Sequence, residues 1–166
     1  MYMLQEADKI QLPDQHTILY YPYVLSEWSV EYKPLPFMKN RNEKMRVISN
    51  MFYKDTGLFA WSMEKLKALP NNDQAIFLPE QYEDKDRHHT TVDFLRNLYL
   101  HKRKVWSNPL LDCLNTYSLY VPYAIFPEYS KKQRGYQILE ISSGHRADLK
   151  KHKDIYHYLQ TREVIE

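Results

Sequence analysis

Between Trp28 and Lys33 the chain alternates between apolar and polar side chains. Trp28, Val30 and Tyr32 interleave with Ser29, Glu31 and Lys33, the period-two pattern of a half-buried strand. Residues 16–25, HTILYYPYVL, are rich in β-branched and aromatic types and predict another strand. Pro22 within it implies an edge position or a bulge. After the breaker segment KPLPF (33–37), the pattern changes. Met45, Ile48 and Phe52 recur at helical spacing and predict a helix over 42–53. Short apolar runs at 57–61 and 75–78 predict strands, with a helical turn around 63–69 and the loop PNND between them.

The second half is punctuated more clearly. Thr90 and Thr91 before Val92-Asp93 predict an N-cap and first-turn acid, opening a helix to about Val105 that buries Val92, Leu95, Leu98 and Tyr99. Asn108-Pro109 predicts a short helix through Leu114. Strands are expected at 117–126 and 136–142, a helix from Arg146, and a short strand at 161–165. These elements predict an α+β fold, a mixed sheet with flanking helices, in a single domain over residues 1–166. A variant of that organisation packs an N-terminal subdomain, 1–83, on a C-terminal core, 84–166. The echo between LYYPYVL (19–25) and LYVPYAI (119–125) has the frequency chance gives in a chain with fifteen Tyr, and no repeat is inferred.

Composition narrows the class only slightly. Hydrophobic residues at 43% and charged residues at 27% suit a water-soluble globular fold. The net charge of +2 is unevenly spread: residues 1–83 hold nine Lys/Arg against eleven Asp/Glu, and 84–166 hold fourteen against ten, or −2 and +4. A polyanion site is therefore expected in the second half. Cys113 is the lone cysteine, so no internal disulfide can form and a reducing, cytoplasmic setting is expected. The first residues lack a signal-peptide pattern, and no window has the apolar length of a membrane span.

Two features carry candidate chemistry. On a helix from Arg146, at about 100° per residue, Arg146, Lys150, Lys153 and His157 fall within about 60° of one another. With Lys131, Lys132 and Arg134 on the preceding hairpin and Lys102–Lys104 ending an earlier helix, they read as a groove contacting phosphates. The bland reading of the same charges is a solvated helix face. The second feature is Glu140, beside the apolar pair Ile138-Leu139. An acid near the end of a strand covered on both faces needs a cationic partner or a metal ion.

From Thr90 onward, the order of Asp93 on a helix, the strand YVPY (120–123), a hairpin, the strand LEIS (139–142) and a following helix resembles the PD-(D/E)XK nucleases, particularly transposon end-cleaving subunits. The resemblance covers about residues 90–160. It implies a nuclease-like core in which Asp93 and Glu140 are catalytic and hold Mg²⁺ or Mn²⁺. The chain departs from that pattern at Tyr123, where the family carries a metal-binding Asp, and at Ser142, where it carries a Lys. Lys150 or Lys151 is the candidate replacement for the Lys, and Glu128 or Asp112 for the Asp.

Three functions are therefore expected to compete. The first is DNA or RNA binding without a cofactor and with absent or weak cleavage. The second is a metal-dependent endonuclease with displaced site residues. The third is a protein-interaction module, of inhibitor or immunity type, from a phage or mobile element. The cluster Asp84, Asp86, His88, His89 and Asp93 reads as a polar helix start before it reads as a metal site, with His89 and Asp93 sharing a face if the helix begins early. Ser142-Ser143-Gly144-His145 reads as a strand-to-helix turn with a serine cap, and Cys113 as a buried structural thiol. The tyrosines read mainly as core and rim packing.

Overall fold

A computed structural model describes residues 1–5, 10–70, 75–129 and 134–165. Among them, nine strands form one mixed sheet and two α-helices flank it, so the expected α+β class holds. The strands are β1 (Tyr2–Leu4), β2 (Thr17–Tyr32), β3 (Arg41–Asn50), β4 (Asp55–Leu58), β5 (Leu66–Ala68), β6 (Ile76–Phe77), β7 (Leu110–Tyr129), β8 (Arg134–Glu140) and β9 (Arg146–Asp148). The helices are α1 (Asp84–Asn97) and α2 (Lys153–Thr161). The sheet order is β4-β3-β2-β7-β1-β5, with β6 beside β2 and β8 between β7 and β9. The β2–β6 pair is parallel, whereas β2–β3, β3–β4, β7–β8 and β8–β9 are antiparallel.

The chain divides into two compact units. The first comprises 1–2, 22–65 and 79–119; the second comprises 3–21, 66–78 and 120–166. In the first unit, α1 and the π-helical turn that follows it (Leu98–Lys102) pack Leu95 and Tyr99 onto Trp28, Val30 and Val47. All five are essentially inaccessible to solvent. Val92, Leu111 and Cys113 extend that cluster. Several polar atoms in and beside it are paired. Trp28 Nε1 donates to Ser26 Oγ at 2.8 Å, and Ser49 and Thr91 share a hydroxyl bond at 3.1 Å. Tyr99 donates its hydroxyl to Glu43, to which Arg103 also donates.

In the second unit, Ala124 and Phe126 of β7 and Leu139 and Ile141 pack with Ile10, Leu12 and Ile18. Leu149, Ile155 and Leu159 are buried along the following segment. Tyr20 stacks on Phe77, and Tyr120 meets both rings edge-on. Tyr20 and Tyr120 thus pack as expected of core and rim tyrosines.

Several expected elements are corrected. Residues 42–53 do not form a helix, because β3 pairs with β2 in a register that sets Met45 opposite Trp28 and Ser26 opposite Val47. There Val47 and Ser49 are buried while Asn42, Lys44 and Arg46 are exposed, a period-two pattern masked in sequence by Ile48 and Phe52. The short helix expected over 108–114 is likewise absent: residues 110–114 begin β7, with Leu111 and Cys113 turned to the core and Leu110 and Leu114 exposed. Helix α1 begins six residues before Thr90, at Asp84. Thr90 and Thr91 lie inside it and bond back to the carbonyls of Asp86 and Arg87. No helix starts at Arg146, which lies on β9; a 3-10 turn (Leu149–Lys151) intervenes before α2. The expected strand at 161–165 is the end of α2 and a turn, with Glu163 at φ 57°.

Leu95 is fully buried beneath α1. Leu95→Ala is expected to lower unfolding free energy by about 2–5 kcal/mol in urea titration, whereas the exposed Arg96→Ala should stay within about 0.5 kcal/mol.

Candidate functional site

Glu140 ends β8 in the second unit, directly across the β7–β8 ladder from Tyr123. Its carboxylate Oε1 accepts a 2.6 Å hydrogen bond from Ser142 Oγ. Residues 140–145 form a turn in which the Glu140 N–H donates to the His145 carbonyl and the Gly144 N–H to the Glu140 carbonyl. Gly144 sits at φ 76°, a conformation that disfavours side-chain-bearing residues. Ser143 Oγ accepts from the His145 N–H. The serines therefore close a strand-to-strand turn into β9, rather than capping a helix.

Asp93 lies on α1 in the first unit, exposed, with His89 Nε2 at 3.4 Å one helical turn away. The early helix start puts His89 and Asp93 on one face, as the sequence spacing anticipates. Among the described residues, no three His, Cys, Asp or Glu side chains come together as a metal-ligand set. Asp112 is exposed on β7, and Glu128 is engaged by Arg146.

The expected cationic stripe is redistributed. Arg146 Nη2 donates to Glu128 Oε1 at 2.9 Å and its Nε to Gln137 Oε1 at 3.3 Å, while its guanidinium lies 4.9 Å from the Phe126 ring centre. A guanidinium so held is already neutralised in part. Lys150 is in the 3-10 turn, with Asp148 Oδ1 accepting from its backbone N–H. Lys153 opens α2 and His157 follows one turn later on the same face. Lys150, Lys151, Lys153 and His157 are all exposed, and none forms an ion pair with a described residue. Arg134 opens β8 opposite Tyr129, and Lys131 and Lys132 lie outside the described residues.

Between Lys151 and Lys153, His152 is half-buried. Burial, with a smaller contribution from His145, pushes its imidazole below the usual histidine range. On β7, burial pushes the half-buried Cys113 thiol up, which suits a structural cysteine.

Spacing missed one feature of the first unit. An open cavity of about 850 Å³ lies along α1 and is lined by Lys85, His88, Val92 and Arg96 with Pro109 and Leu110. Its signal was the helical recurrence of positions 85, 88/89, 92 and 96, hidden because the helix was expected to begin at Thr90.

No protein-family model, curated protein or solved structure matches the chain. Among the described residues, no helix is long and apolar enough to cross a membrane.

Because folding lowers the His152 pKa, the unfolded chain binds more protons as pH falls through the ordinary histidine range, near 6.5. Its contribution to stability is therefore complete above that range and lost on acidification. The melting temperature should drop between about pH 7 and pH 5, and His152→Gln should flatten the drop. Identical pH profiles for the two proteins would refute this assignment.

Proposed function

We propose that the protein binds the sugar-phosphate backbone of DNA or RNA through the cationic segment of its second unit. The observation that carries this reading is the exposure of Lys150, Lys151, Lys153 and His157 within eight residues, free of ion pairs to described carboxylates. Lysines left unneutralised on a short, helix-anchored segment can each displace a condensed counterion from a nucleic acid. The start of α2 adds backbone N–H groups at the positive end of the helix, and the His152 side chain makes no capping hydrogen bond there.

In this reading, cleavage is absent or weak. The cross-strand positions 123 and 140 supply one carboxylate and one phenol, where a two-carboxylate metal site needs two acids. Glu140 shapes the turn into β9 through Ser142 and does not touch nucleic acid. Arg146 serves chiefly to tie β9 to β7 through Glu128, so it contributes less than the three lysines.

Fluorescence anisotropy with labelled duplex DNA, single-stranded DNA and duplex RNA, from 50 to 200 mM salt, tests the proposal. The expected wild-type behaviour is an affinity that falls steeply with salt, and Lys150→Gln/Lys151→Gln/Lys153→Gln should reduce the log–log slope by about 2–3. Glu140→Gln should leave affinity unchanged. An unaltered salt slope in the triple variant would exclude the segment as the interface. Nicking of supercoiled plasmid with Mn²⁺ that disappears in Glu140→Gln would instead favour the endonuclease. Salt-independent behaviour together with a co-purifying protein would favour the interaction module.

A further inference from the structure

The cavity along α1 belongs to the first unit and is independent of the lysine segment. Its floor is apolar: Val92 from the helix, with Pro109, Leu110 and Leu111 from the approach to β7 and its first residues. Leu110 is 67% exposed there, which is costly for a leucine at the start of a strand. Its rim is cationic. Lys85 and Arg96 are exposed and form no ion pair with a described residue, and His88 and His89 add two imidazole rings at the Lys85 end, His89 Nε2 lying 3.4 Å from the Asp93 carboxylate outside the lining. Asp86 is the one carboxylate among the lining residues. It is outnumbered by Lys85 and Arg96 before either histidine is protonated.

The rim and floor are ordered along the helix. Lys85, His88 and His89 occupy the first turns, Val92 the middle, and Arg96 the last turn. From residue 85 to residue 96 the helix rises about 16 Å. Beneath this row, Trp28 braces the His88 ring at 5.2 Å, and Leu95 and Thr91 hold the adjacent face of α1 in the core. The helix that forms the wall is thus packed on the core, and the volume lies within the range of small-molecule sites.

We propose that this cavity binds a small, elongated amphipathic anion, an alkyl or aryl carboxylate or phosphate monoester. The apolar body lies on Val92, Leu110 and Leu111, and the anionic head is held at the cationic rim. Charge complementarity selects this occupant: a neutral apolar ligand would leave the rim cations facing hydrocarbon, and a cation would be repelled.

Sodium octanoate is the probe, with 1-octanol as its uncharged counterpart, and the methyl NMR signals of Val92, Leu110 and Leu111 report binding. Octanoate should shift these signals saturably, and at least about tenfold more tightly than 1-octanol. Lys85→Glu/Arg96→Glu should weaken octanoate at least about tenfold, and Leu110→Asp should do the same. Lys85→Gln/Arg96→Gln provides a milder pair if charge reversal disturbs folding, which a thermal melt will show. The Lys150/Lys151/Lys153 triple variant should bind octanoate like wild type, so failure here and failure of nucleic-acid binding are separately readable. Non-saturable shifts, equal binding of octanol, or indifference to both rim pairs would overturn the proposal. So would shifts produced by an acidic peptide and not by octanoate, which would identify a protein-docking face.

Discussion

One uninterrupted strand of twenty residues, β7, sets the terms for everything else. An extended chain sends alternate side chains to opposite faces, so its residues can serve one core only at every second position. Leu111 and Cys113 near its start join the Trp28 cluster, and Ala124 and Phe126 near its end join the Leu139–Ile141 cluster. Every backbone group along such a strand needs a hydrogen-bond partner. The ladder with β8 and the bond from the Ile141 N–H to the Pro122 carbonyl supply some of them. Pro122 and Pro127 donate none, so the strand's neighbours must accommodate those two gaps.

The two candidate sites follow from how each unit uses its helix. In the first unit, α1 spends one face on the core through Arg87, Thr91 and Leu95. That leaves Lys85, Val92 and Arg96 on the face beside Pro109 and Leu110, where polar and apolar groups line one cavity. In the second unit, α2 buries Ile155 and Leu159 and keeps Lys153 and His157 in solvent. The same amphipathic logic thus yields two electropositive surfaces of different character. One is concave and partly apolar, suited to a ligand with a hydrocarbon body. The other is an exposed lysine segment, proposed above to meet a polyanion whose charges repeat along a line.

The nuclease resemblance can be weighed at individual residues. YVPY lies on β7 and the first two residues of LEIS end β8, and Tyr123 pairs with Glu140 across that ladder. The helix expected directly after them is displaced by β9, because residues 146–148 pair with 137–139 before the chain can turn. Arg146 then satisfies Glu128 instead of pointing along a helix face. Ser142 closes the intervening turn on the Glu140 carboxylate. These are local hydrogen-bonding choices, and no periodicity in the sequence reports them.

What the sequence determined alone was the α+β class, the strands around Trp28 and Tyr120, the burial of Leu95 and Tyr99, and the basic bias of the second half. Those follow from composition and from period-two or helical spacing, which act within a few residues. Tertiary structure decided the rest. Met45 and Ile48 fit either a helix or a strand until pairing with β2 settles the matter, since β propensity is largely cross-strand packing. Thr90 is an excellent cap by type, yet Arg87, Thr91 and Leu95 gain a buried face only when the helix starts at Asp84. The cavity along α1 was invisible for the same reason: Leu110 and Arg96 are fourteen positions apart, and only the packing of α1 against β7's beginning makes them neighbours.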